Sequence, residues 1–130
     1  MNLPSLPPPE QFIGDFYAAF TTAALTDDDP VEVIDRFHTP DIVQIADGIR
    51  LDRDRLVAHL RPLRKNLREC RFEVHEAVFD GQRIAARMTI HARMRGDENV
   101  VTEVFLFAHF TPDGRMCRAE QLTRTRSPTA

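Results

Sequence analysis

Two hydrophobic periods divide the chain. In the first half apolar residues recur every three or four positions, and from Cys70 onward they alternate. Phe12, Ile13, Phe16, Tyr17 and Phe20 predict an amphipathic helix over residues 10–25, with Pro9 suited to its first turn. Asp29-Pro30-Val31-Glu32 then supplies a capping carboxylate, a proline at the first helical position and a glutamate three residues after the cap. That second helix turns Val33, Ile34 and Phe37 inward and stops before Pro40. Ile42–Ile45 and Ile49–Leu51 flank Asp47-Gly48 and predict a short hairpin. Asp52 caps a third helix with the stripe Leu56, Leu60, Leu63 and Leu67; Pro62 inside it is expected to kink or restart the helix.

In the alternating half, Asp80-Gly81, Gly96–Asn99 and Thr111–Gly114 are turn signals. They leave four strands near residues 70–79, 82–95, 100–110 and 115–124. Helices first and a meander afterwards predict an α+β domain, three N-terminal helices packed on a curved, four-stranded antiparallel sheet. Long strands curl, and a curled sheet closed by helices on one side encloses an apolar pocket. Residues 1–9 read as a Pro-rich lead-in, 10–125 as one domain and 126–130 as a frayed tail.

Pairing the last two strands around Pro112-Asp113 sets Leu106 against Ala119 and Ala108 against Cys117, with Phe107 against Arg118 and Phe105 against Glu120 on the other face. A short loop at residues 97–99 puts Met88 and Ile90 on the Leu106 face and Arg93 opposite Glu103. The face holding Met88, Ile90, Leu106, Ala108 and Phe110 is the more apolar, so it turns toward the helices. Phe105 and Phe107 then point outward among Arg118 and Glu120, a mixed patch expected to be a homodimer interface. In the third strand two assignments stay open: Glu73, His75 and Ala77 inward, or Phe72, Val74, Glu76 and Val78 inward. Either offers one carboxylate, Glu73 or Glu76, to the pocket as a candidate base, the equal alternative being a carboxylate solvated at the sheet edge.

Composition narrows the function classes. The 130 residues carry a net charge of -3, so no global basic field advertises nucleic acid. Arginines crowd residues 50–71, a pattern read as the solvated face of the third helix rather than an anion site. No run is long and apolar enough to span a membrane, and no signal peptide opens the chain; a cytoplasmic protein without membrane partners is expected. Cys70 and Cys117 lack any partner spacing and read as small core residues. His75, His91 and His109 are scattered over three strands, which predicts no metal site. Without a Gly-rich phosphate loop, no nucleotide cofactor is expected.

Phe16–Phe20, Phe37-His38-Thr39-Pro40-Asp41, Asp80–Ala85 and Phe110–Met116 stand in an order that resembles the NTF2-like superfamily, and within it the SnoaL-like and ketosteroid isomerase-like proteins. The resemblance covers residues 10–124 and implies a cone-shaped, cystatin-like roll with a pocket for a small hydrophobic molecule, and a homodimer through the outer sheet face. It places Tyr17 where the isomerases hold an oxyanion-stabilising tyrosine, although the core stripe of its helix, with the hydroxyl satisfied locally, is the preferred reading of Tyr17. The two isomerase carboxylates are missing: Leu106 stands at the acid position and Ala46 at the base position, with Asp47 one residue beyond. Asp47 is therefore a candidate base whose competing explanation is the hairpin turn. The implied pocket comprises Phe16, Phe20, Phe37, His59, Met88, Ile90, Leu106, Ala108, Phe110, Ala119 and Gln121, with Tyr17 as donor. Two functions stay open, cofactor-independent acid–base catalysis of the isomerase, cyclase or dehydratase type and non-catalytic binding of a small ligand or partner.

Overall fold

The computed structural model describes residues 7–26 and 28–126; the expected lead-in up to residue 6 and the tail from residue 127 lie outside the described residues. Helix α1 spans Pro9–Ala24, α2 Pro30–Phe37 and α3 Arg53–Asn66. Each starts where the sequence supplies a start signal. Pro9 and Pro30 occupy first-turn positions where a missing N–H costs nothing. Asp29 accepts from the Val31 amide and Asp52 from the Arg55 amide, both at 3.0 Å. Pro62 neither ends nor restarts α3, which runs through it as one element.

Long arginines tie the helices together. Arg64, in the last turn of α3, donates to the Ala24 carbonyl at 2.6 Å and the Asp28 carbonyl at 2.7 Å, so α3 caps the end of α1. Arg53 grips Asp35 of α2 with two parallel bonds of 2.6 and 2.7 Å. Part of the basic run is thus structural, not only a solvated face.

The strands are β1 His38–Ala46, β2 Ile49–Asp52, β3 Leu67–Asp80, β4 Arg83–Met94, β5 Asn99–Phe110 and β6 Met116–Arg126. They form one six-stranded sheet in the order β2-β1-β6-β5-β4-β3. This corrects the expected four strands: the Asp47-Gly48 hairpin joins the sheet because β1 pairs in parallel with β6. Such long-range parallel pairing leaves no local turn signature to read. Asp47 and Gly48 have φ of 53° and 83°, the left-handed pair that a two-residue hairpin turn requires. Pro40, which has no N–H to give, falls where the β1–β6 ladder slips between His38 and Val43.

The sequence-derived registers are displaced. Leu106 lies opposite Gln121, not Ala119, because residues 111–115 make a wider turn and a bulge follows His109. Arg93 lies opposite Asn99, and Thr89 rather than Arg93 faces Glu103, because the β4–β5 turn is centred earlier, with Met94 bonding Glu98. Both displacements are even, so the faces survive. Leu106, Ala108, Phe110, Met88 and Ala119 are buried beneath the helices with Ile13, Phe16, Ile34 and Leu60. Phe105 and Phe107 look away.

In β3 a bulge between Val74 and Glu76 divides the strand. Before it Phe72 and Val74 face the core; after it Ala77 and Phe79 do. Each alternative from the sequence therefore holds for one half of the strand.

His38 joins α2 to β1 and is 2 % exposed. Its Nδ1 lies 2.9 Å from the Ile34 carbonyl, and Phe16 and Phe20 meet the ring edge-on. Burial holds its pKa below the ordinary 6.5, so the fold keeps the neutral ring, donating from Nδ1. Below pH 6.5 the unfolded chain takes up this proton before the folded one does, so this contribution is full above 6.5 and falls as the pH drops toward the folded-state value. The urea midpoint should be flat above that pH and decline below it, and His38→Asn should flatten the decline. Equal slopes in the two proteins would place the acid sensitivity in another group.

Candidate functional site

Cross-strand pairing arranges the inner sheet face in rows, and helical cover thins from row to row. Ala119, Ala108 and Ile84 form a buried row under α1, and Thr123, Val104, Met88 and Val74 a row buried at its centre. Next come Thr102, Ile90 and Phe72, all half-buried, and after them Val100, Ala92 and Cys70, also half-buried. Apolar surface is thus left partly open at the wide end of the cone.

Tyr17 hangs over this end. Its ring stacks on Phe72 with centroids 5.5 Å apart and meets Phe16 edge-on at 5.2 Å. Among the described residues nothing hydrogen-bonds the Tyr17 hydroxyl, and no sealed side-chain oxygen or nitrogen is left without a partner, so the hydroxyl keeps a small accessible surface although most of the phenol is enclosed. Burial raises its pKa above the ordinary 10.0, keeping the phenol protonated and a donor. The two readings of Tyr17 meet here: its ring belongs to the core edge and its hydroxyl is unused.

Phe16, Met88, Leu106, Ala108, Phe110 and Ala119 are buried in the packed core, while Phe20, Phe37 and Ile90 are half-buried against it. Gln121 is half-buried on the inner face between Leu106 and Ala46. Gln44, which the sequence did not single out, lies one row away and reaches the Met116 sulfur at 3.4 Å. His59 is exposed on the solvent side of α3, because it falls off the Leu56–Leu60 stripe.

Glu73 and Glu76 do not enter this face, and Asp47 meets its edge only through Thr123. Asp47 accepts from the Thr123 amide at 2.8 Å and the Thr123 hydroxyl at 2.5 Å. Those bonds lower its pKa, the opposite of what a base in an apolar pocket needs. The geometry therefore gives Asp47 to the turn. Glu73 faces outward and accepts from His91 at 2.9 Å, and Glu76 pairs with Arg87 on the same outer face. The expectation that one of them meets the pocket is corrected by the β3 bulge, which leaves both outside. Burial pushes the Cys70 thiol up to about 11, so it is no nucleophile. Among the described residues no group of three His, Cys, Asp or Glu side chains could hold a metal ion.

On the outer face Phe105, Phe107, Leu122 and Val78 are 56 %, 69 %, 68 % and 57 % exposed. Phe105 lies opposite Leu122, and Phe107 lies between Ala85 and Glu120 with Arg118 exposed two residues before Glu120. No helix among the described residues is long and apolar enough to cross a membrane.

The pattern of the SnoaL-like domain matches residues 14–119. An uncharacterised protein of Schizosaccharomyces pombe is 33% identical over 114 residues, covering 88% of this chain and 84% of that protein. Among solved structures, a candidate isomerase from Rhodopseudomonas palustris superimposes with a TM-score of 0.69 at 16% identity, covering 86% of this chain and 88% of that one. IdmH of Streptomyces antibioticus, a candidate polyketide cyclase, gives 0.62 at 18% identity over 90% and 91% of the two chains. At these identities the structural matches speak for the fold.

The sequence has one tyrosine and no tryptophan, so phenolate absorbance reports Tyr17 alone. Tyr17 should stay un-ionised as the pH passes 10.0, and the stability tied to its raised pKa should begin to fall from there upward. Phe72→Ala should bring the titration back toward the ordinary value. A native protein that ionises at the ordinary pH would mean that the phenol stands in water.

Proposed function

The chain belongs to the SnoaL-like domain family, and from that premise we propose that it binds a small apolar molecule at the wide end of its concave sheet face, Tyr17 donating a hydrogen bond to an acceptor oxygen of that molecule. The observation that carries this reading is the unused, protonated Tyr17 hydroxyl over the half-covered row Phe72–Ile90–Thr102. Uncovered apolar surface beside one fixed donor is the composition of a small-molecule site. Binding without proton transfer is preferred over acid–base turnover. Glu73 and Glu76 are engaged on the outer face and Asp47 is occupied by two bonds from Thr123, and a phenol that holds its proton can stabilise a carbonyl oxygen but cannot remove a proton from carbon.

The outer face supports a second element of the reading, a homodimer. Phe105, Phe107, Leu122 and Val78 form an apolar centre, with Arg87, Arg118 and Glu120 around it. A two-fold axis sets such a patch against its own copy.

Prodan, a naphthalene carrying a ketone, suits the site in shape and chemistry, and its emission reports hydrogen bonding at the carbonyl. Wild-type protein should bind it, and Tyr17→Phe should weaken binding roughly 3- to 10-fold, one neutral hydrogen bond, and shift emission to the blue. Failure of the wild type to bind, or equal affinity in the variant, would overturn the ligand reading. For the dimer, sedimentation should give twice the chain mass for wild type and the single mass for Phe105→Glu. A monomeric wild type, or a variant that still dimerises, rejects that surface.

A further inference from the structure

The outer face carries a second feature, separate from both the concave face and the phenylalanine patch. Two adjacent rows cross the ends of β3, β4 and β5: Glu69–Arg93–Asn99 and Arg71–His91–Val101. A groove of about 440 Å³ is lined by these two rows and by Cys70, Ala92 and Val100 of the row between them. That volume suits a small molecule rather than a macromolecular partner.

Its charges are unevenly committed. Arg93 is matched by Glu69 at 3.3 Å and Asp97 at 3.2 Å. His91 is held by Glu73 at 2.9 Å, which fixes the ring in the middle of the groove. Arg71 makes no ion pair among the described residues; Glu73, on the same face two residues along, feels its charge from beyond bonding distance. The Asn99 carboxamide on the far wall makes no hydrogen bond among the described residues either, and Val101 beside it offers an apolar surface. From Arg71 to Val101 the groove crosses two strand spacings, roughly 10 Å. An unmatched guanidinium, a central imidazole and an apolar far wall at that spacing define one kind of ligand.

We propose that this groove binds a flat organic carboxylate about two fused rings long, its carboxylate on Arg71, its ring system over His91 and its far edge against Val101 and Asn99. Arg71 supplies the planar fork that matches a carboxylate, and the unpaired cation gains a partner without breaking an existing ion pair. The site is chemically distinct from the concave one. Tyr17 offers a neutral donor to a neutral acceptor, whereas Arg71 selects for negative charge.

Titration of 2-naphthoate into the wild-type protein, followed by amide NMR, tests this. The Arg71, His91 and Val101 amides should shift together. Affinity should fall at least 5-fold in Arg71→Gln and should fall as salt rises, while neutral 2-naphthamide should bind at least 5-fold more weakly than the acid. Arg71 is exposed, so the variant should fold as wild type does; its amide spectrum checks that directly. Shifts confined to Tyr17 and Phe72, equal binding of acid and amide, an affinity untouched by Arg71→Gln, or no shifts at all would each overturn the proposal.

Discussion

Side chains on a strand alternate between two faces, and on β5 that alternation has to serve two different surroundings at once. Val104, Leu106, Ala108 and Phe110 go beneath the helices, while Phe105 and Phe107 go to the far side. A shift of one residue would exchange the sets, burying Glu103 and Phe105 where Val104 and Leu106 now pack. The neighbouring strands must respect the same parity, so their displacements from any simple turn-based pairing come in even steps. β6 is moved by two residues and β4 by four, and neither moves a core residue to the outside. The core of Ile13, Phe16, Ile34 and Leu60 against Met88, Leu106 and Ala108 depends on that parity. The outward direction of Phe105, Phe107 and Glu103 follows from it too.

Where the parity does break, it decides the chemistry. The β3 bulge between Val74 and Glu76 inserts one residue and turns the second half of the strand over. Without it, continuing the pattern of Phe72 and Val74 would carry Glu76 onto the inner face. With it, Glu76 stays outside with Arg87, and Ala77 and Phe79 pack inward, the latter against Phe12 at 5.5 Å. One extra residue thus keeps the concave face free of carboxylate in this strand, and Tyr17 faces an apolar partner, Phe72.

The elements were legible because their signals are local. Asp29-Pro30, Asp52, Asp47-Gly48 and Asp80-Gly81 start helices or turn strands wherever they occur, and the leucine stripe of α3 announces its buried side. What was not legible is non-local. The parallel β1–β6 ladder joins residues more than seventy positions apart and adds the hairpin to the sheet with no sequence cue. The β3 bulge leaves no glycine or proline behind it, so both faces of that strand stayed open. Pro62 looked like a breaker, yet α3 continues through it. Of the candidate site, Tyr17 was visible as a lone tyrosine in an apolar stripe. Its free hydroxyl was not, since that depends on Phe72 and Phe16 enclosing the ring.

Asp47 and Tyr17 are shifted in opposite senses, and the proposed preference for binding over catalysis rests on that difference. Asp47 sits beyond the end of β1, where a base could have been positioned, but Thr123 engages both its oxygens and holds its proton affinity down. A base of low proton affinity, already hydrogen-bonded and exposed, has little driving force to take a proton from carbon. Tyr17 is displaced in the opposite sense and keeps its proton. A phenol that keeps its proton over Phe72 can donate to a polarised oxygen, while the one carboxylate that reaches the inner face is already occupied at Thr123. Under the proposed binding role, Tyr17 and the Phe72–Ile90–Thr102 row are the parts that hold the molecule, and no base is asked of the chain.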